Sequence, residues 1–124
     1  MNYITVLILI LFCHYLADYP MQGILASMKQ KSWWEKQTNY NNKYKYDYIP
    51  ALIIHSFVWS FMIMLPLFIY QNFNMDLAFI IILILNTAIH ASVDNAKANN
   101  KHINLIQDQL VHLLQIIWTS VLYF

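Results

Sequence analysis

The stretch LILILFCHYLADYPMQ, residues 7–22, places His14 and Asp18 at the end of a long apolar run. An isolated charge in hydrocarbon costs several kcal/mol, so ionisable groups persist there only when paired, hydrated or bound to something. The partners of these two side chains must therefore come from elsewhere in the chain, and their identity decides both fold and function.

The composition places the run in a membrane. Of 124 residues 60% are hydrophobic and 10% charged, with a mean hydropathy of +0.45, whereas a soluble domain carries about 25% charged residues. One glycine and three prolines argue against a loop-rich or disordered chain. Cys13 has no second cysteine to pair with and reads as packing material. There is no arginine, and a net charge of +1 gives nucleic-acid binding no electrostatic support.

Four apolar stretches, Tyr3–Met21, Ile49–Tyr70, Asp76–Asn95 and Ile103–Phe124, approach the ~20 residues that cross a bilayer, so the fold expected is a single all-α, four-span membrane domain over residues 1–124. The first stretch lacks the basic start and small-residue cleavage site of a signal peptide and reads as a retained span. Segment 23–48 holds five lysines and segment 96–102 the other two, while QNFN (71–74) and both termini hold none. The positive-inside rule makes both lysine-bearing loops cytoplasmic and both termini exoplasmic, in an inner, cytoplasmic membrane. Within the first loop, Ile24, Leu25, Met28 and Trp33 alternate with Lys29, Lys31 and Lys36, as in an amphipathic helix lying in the interface. Trp33, Trp34 and the tyrosines at 40, 44, 46 and 48 would anchor it at headgroup depth, with membrane lipid as its partner.

His14 and Asp18 are four residues apart, and the pattern recurs. The third span carries His90 and Asp94, the fourth carries Asp108 and His112 in reverse order, and the second carries His55. Residues four apart share one helix face, so each pair can point inward, with Gln22 extending the first stripe by a turn. All seven fall in one layer toward the lysine-bearing loops. Three of six acids and four of five histidines belong to it, and scattered polar residues would not level up across antiparallel helices.

Three aspartates crowded in low dielectric repel one another unless a cation compensates them. Imidazole and carboxylate are the ligand set of a divalent metal, Zn²⁺, Mn²⁺ or Fe²⁺. The expected metal ligands are His14, Asp18, His90, Asp94, Asp108 and His112, for one ion or for two sharing a carboxylate, with His55 a further ligand or proton shuttle. An open coordination position would supply hydroxide near pH ~7 for hydrolysis. Two other roles suit the same residues. A buried hydrogen-bond network could fasten the helices, and a proton or cation pathway also uses intramembrane Asp and His. For a pathway, the outer halves SFMIMLPLFIY and LAFIIILIL offer only Asn86, Thr87 and Ser60.

Outside the layer, Lys97 reads either as a phosphate contact or as a snorkelling helix-end lysine. Gln109 reads as an interhelical hydrogen bond and His102 as a solvated loop residue. Asp76 reads as a first-turn acid capped by Asn74, Pro66 as a kink, and Pro50 as a first-turn proline.

The ordered set of His14, Asp18 and Gln22, then His55, then His90, Asp94 and Lys97, then Asp108, Gln109 and His112 resembles a family of small polytopic membrane proteins of unknown function in bacteria and phages. The resemblance covers nearly the whole chain, departing at Tyr19-Pro20, where an aromatic followed by an aliphatic residue is expected. In style it is similar to small helical membrane proteins assigned as metal-dependent hydrolases. The residues themselves lead to the expectation of a metal-dependent hydrolase whose site opens toward the cytoplasmic leaflet, with Lys97 and Gln22 positioning a lipid or lipid-linked phosphate. The competing expectation is a non-enzymatic, phage-encoded membrane factor that modifies the host envelope. Four short spans enclose little volume, which leaves room for a homo-oligomer that completes the site.

Overall fold

The computed structural model describes residues 1–37 and 41–124 and is all-helical over them. Tyr40, one of the expected anchors, lies outside the described residues. Four long helices run alternately up and down: α1 (Tyr3–Asp18), α4 (Tyr48–Tyr70), α5 (Leu77–Ala98) and α6 (Leu105–Tyr123). Two short helices, α2 (Leu25–Met28) and α3 (Lys31–Glu35), and a 3₁₀ turn at Asn42–Tyr44 link α1 to α4. Helix α4 is central, packed between α1 and α5, and α6 closes the set against all three.

Capping and breaking residues set the ends. Asn2 accepts from Thr5 N at 2.9 Å to start α1, and the helix stops at Asp18 because Pro20 disfavours a helical Tyr19, found at φ −120 and ψ −83. The first stretch is thus shorter than expected, and Gln22 does not continue its stripe. Its side-chain amide folds back to donate to the Asp18 carbonyl. The cap of α5 is also corrected: Asp76 itself accepts from Phe79 N at 2.8 Å, so Asn74 is not the cap. The capping box of Asn104 and Gln107 that opens α6 escaped the sequence reading. The expected single loop helix is two, broken at Lys29 and Gln30.

The segment Asn42–Tyr70, which contains α4, and helix α5 are long and apolar enough to cross a membrane. Helix α1 has only 16 residues, and α6 carries Asp108, His112 and three glutamines. The interior is divided by height. Val6, Ile10, Ile63, Leu67 and Phe79 fill the end where α1 and α5 begin. The opposite end is polar, and the buried set holds 14 polar or charged residues against 14 hydrophobic ones and Pro66. Pro66 lies inside α4 and is buried at the apolar end, while Pro50 sits in the first turn as expected.

Candidate metal centre

The four-residue spacing of the three His/Asp pairs puts both members of each on the inner face of its helix, and the chain direction brings all three pairs to one end. His14, His55, His90, Asp94, Asp108 and His112 are at most 1% exposed and Asp18 is 3% exposed. Asp94 is the meeting point. His112 Nε2 lies 3.4 Å from its Oδ1 and 3.3 Å from Asp108 Oδ1. On the other side, His55 Nε2 lies 3.3 Å from Asp94 Oδ2, 3.5 Å from Asp18 Oδ1 and 3.2 Å from His90 Nε2.

Part of the expected counter-charge is supplied by lysine. Lys29 Nζ donates to Asp94 Oδ2 at 2.5 Å, and Lys97 Nζ to Asp108 Oδ2 at 2.6 Å. Both are charge-assisted bonds between an ammonium and a carboxylate. Three carboxylates face two ammonium groups, and the protonation of the four imidazoles decides the rest of the charge balance. Lys97 is therefore no snorkelling residue, and Lys29 has turned inward from a loop expected to face the interface.

Two relays fix how the imidazoles are protonated. The Trp59 indole can only donate, and its Nε1 lies 2.9 Å from His14 Nδ1. His14 must then carry its proton on Nε2, which donates to Gln109 Oε1 at 3.2 Å. Gln109 Nε2 in turn donates to Asp18 Oδ2 at 2.7 Å and to Asp108 Oδ2 at 3.1 Å. The second relay begins at a backbone carbonyl, which can only accept. Gln115 Nε2 donates to Asn86 O and Asn86 Oδ1, both at 3.2 Å. Gln115 Oε1 therefore faces His112 Nδ1 at 3.2 Å, so that nitrogen carries the proton. In the neutral ring His112 Nε2 then carries the lone pair.

That lone pair points at two carboxylate oxygens. Asp94 Oδ1, Asp108 Oδ1 and His112 Nε2 are buried and have no hydrogen-bond partner among the described residues. His112 Nε2 stands 3.4 Å from Asp94 Oδ1 and 3.3 Å from Asp108 Oδ1, and these electron-rich atoms repel unless a proton or a metal cation sits among them. Donors at 2.0–2.1 Å from a tetrahedral Zn²⁺ stand about 3.3–3.4 Å from one another, so the spacing suits such an ion. Three overlapping groups could hold a metal: Asp94, Asp108 and His112; His55, His90 and Asp94; and Asp18, His90 and His112. His90 serves two of them, and its ring packs against those of Trp59 (4.1 Å) and His112 (4.0 Å).

The model of a family described as protein of unknown function (DUF3307) matches residues 6–124. The chain belongs to the DUF3307 family. No curated protein and no solved structure matches it.

In this DUF3307 chain, six of the nine residues singled out from the sequence fall in metal-capable groups: Asp18, His55, His90, Asp94, Asp108 and His112. His14 lies beside them, with both ring nitrogens engaged by Trp59 and Gln109. Lys97 touches the layer through Asp108. Gln22 stands at its edge, its Oε1 buried without a partner. Gln109 makes the interhelical bonds expected of it, and His102 is exposed. Lys29, Trp59 and Gln115 were missed. Gln115 lies three residues after His112 and Trp59 four after His55, so each repeats the helical spacing of the motif residue it supports. Lys29 sits in a loop, where no periodicity marks it. The buried polar set also continues beyond the three outer residues weighed earlier. Asn86 Nδ2 donates to Thr119 Oγ1 at 2.8 Å, and Ser56, Ser60 and Ser120 are buried, whereas Thr87 only returns its hydroxyl to Leu83 O.

Proposed function

We propose that this chain is a four-span membrane protein whose polar layer binds a divalent metal and hydrolyses a phosphate ester near the cytoplasmic leaflet. The bilayer placement is supported by an inverted distribution of polarity. Ile8, Phe12, Ile84, Ile106, Leu114 and Val121 are more than 60% exposed, while charges are buried. In water such an apolar exterior would associate; in lipid it needs no partner. Lys29 and Lys97 belong to the site, and the remaining lysines lie in the segments joining the helices at that end. This supports cytoplasmic loops and exoplasmic termini.

The observation that carries the metal is the convergence of the His112 Nε2 lone pair with the unpartnered oxygens of Asp94 and Asp108. These three would hold one ion, and His55 and His90 lie where a second would share Asp94. A bound divalent ion supplies Lewis acidity and a water of lowered pKa. The chain's own residues do the rest. Where a single ion is held, His55, poised between Asp18 and Asp94, accepts the proton that the attacking water loses and returns it to the leaving oxygen as the ester P–O bond breaks. With an ion held by Asp94 and Asp108, Lys29 and Lys97 would be free to meet the phosphate oxygens.

Metal analysis of detergent-purified protein by mass spectrometry tests this reading. Wild type should retain divalent metal stoichiometrically, and Asp108→Asn should lose it while remaining in the membrane. No metal after reconstitution with Zn²⁺, Mn²⁺ and Fe²⁺ would overturn it.

A second reading is favoured by the polar string from His112 through Gln115 and Asn86 to Thr119. It reaches toward the opposite end, as a proton pathway would. Flux in proteoliposomes that vanishes in Gln115→Leu and persists without metal would select the pathway.

A further inference from the structure

Three cavities on the outer side of α4 and α5 run into one another. The first is a groove of about 370 Å³ between the helices, lined by Ile53, Phe57, Ile84, Ala88 and Ala91 among others. The second shares Ile53 and Ala91 with it and continues past Leu52, Ser92 and Asn95 to Tyr48. The third shares Tyr48 and is walled by Lys31, Trp34, Glu35, Lys45 and Tyr46. The whole forms a trough that is apolar along most of its length and charged at one end.

We infer that this trough binds one phospholipid of single negative charge, with an acyl chain between α4 and α5 and its phosphate against Lys31 and Lys45. Length supports it. From Leu83 to Asn95 the groove follows twelve residues of α5, about 18 Å at 1.5 Å per residue. One leaflet of a ~30 Å hydrocarbon core is about 15 Å deep. The chemistry of the wall agrees as well. The hydroxyls of Thr87 and Ser92 are already given to the carbonyls of Leu83 and Ala88, each at 2.8 Å, so they offer a chain no unsatisfied donor.

Charge selects the headgroup. Neither Lys31 nor Lys45 has a carboxylate within 4.0 Å among the described residues. The Lys31 ammonium instead lies 4.9 Å from the Tyr48 ring centre, at the junction of the two upper cavities. With Glu35 the pocket sums to one positive charge, the complement of one phosphodiester. Glu35 would accept from a hydroxyl-bearing headgroup. The groove lies on the outward face of α5, opposite His90 and Asp94, so the lipid site is separate from the metal centre. It rests only on the bilayer placement proposed above.

The test is native mass spectrometry of protein reconstituted into vesicles of phosphatidylglycerol, phosphatidylethanolamine and phosphatidylcholine in equal parts, then extracted in mild detergent. One phosphatidylglycerol per chain should be retained preferentially. Lys31→Gln with Lys45→Gln should lower that preference about thirtyfold. Ala88→Phe, at an exposed position that leaves the fold intact, should block retention. Asp108→Asn should retain the lipid unchanged. Equal retention of all three lipids, preference for phosphatidylethanolamine, or displacement by millimolar inorganic phosphate alone would overturn the inference. So would a chain dimer that Ala88→Phe dissolves, since a second copy would then be the occupant. A protein released from membranes without detergent would instead refute the bilayer placement itself.

Discussion

Gln115 Oε1 lies 3.2 Å from Nδ1 of His112, and the backbone carbonyl of Asn86 forces that orientation by holding the other end of the amide. Protonation of His112 is therefore decided by a residue that takes no part in the layer, one turn further along α6. A metal-ligating imidazole needs its far nitrogen held in this way.

Replacing Gln115 by Leu removes the acceptor and frees the ring to turn. Metal affinity should fall about 10–100-fold, the usual effect of losing such a support. Competition with a chelator of known affinity measures it. If wild type and Gln115→Leu compete equally, His112 is not a ligand through Nε2.

Lys29 offers a second test, because its partner is buried on every side. Lys29→Met leaves Asp94 charged and unpaired in the metal-free protein, a loss of about 3–5 kcal/mol for a broken buried pair. Thermal unfolding in detergent should show a lowered midpoint for Lys29→Met. Adding Zn²⁺ should restore most of it, because the metal replaces the missing cation. Lys29→Met combined with Asp94→Asn should come closer to wild type than Lys29→Met alone. A midpoint unchanged in the single variant would mean that the 2.5 Å pair contributes nothing.

These two residues mark where the sequence was legible and where it was not. Periodicity of four picked out His14, Asp18, His90, Asp94, Asp108 and His112, because a helix face is written in spacing. The apolar stretches placed the ends of α4 and α6 within two residues and stopped α5 three residues short of Ala98. They overran α1 by three residues, since the stop at Asp18 depends on what Pro20 does to Tyr19 rather than on hydrophobicity. Lys29 was invisible for a different reason. Its inward turn follows from the break between α2 and α3, and from Asn99, whose side chain donates to Lys29 O at 3.0 Å and accepts from Lys31 N at 2.8 Å. Contacts seventy residues apart leave no local pattern.

The start of α6 can be tested apart from the site. Asn104 accepts from Gln107 N at 2.9 Å and Gln107 Oε1 accepts from Asn104 N at 3.0 Å. Asn104→Ala should cost about 1 kcal/mol, as loss of a side-chain cap does. Metal content should be unchanged, because Asp108, although in the first turn, is held by Lys97 and Gln109, and His112 lies one turn further in. A loss of metal in Asn104→Ala would show that the cap holds Asp108 in place.

Trp59 carries the last prediction. Its indole does two things, donating to His14 Nδ1 and stacking on His90. Trp59→Phe keeps a ring for the stack and removes only the donor. His14 Nδ1 is then a buried acceptor without a partner, at a cost of about 1–3 kcal/mol. The ring is also free to take the other tautomer, which would point a lone pair at Gln109 Oε1 and break the relay to Asp18 and Asp108. Trp59→Phe and Gln109→Leu should therefore be non-additive. A double-mutant cycle on thermal stability in detergent should give an interaction energy of about 0.5–3 kcal/mol, although the two side chains meet only through His14. Strict additivity would mean that His14 does not transmit the indole's orientation, and the first relay would reduce to two independent contacts.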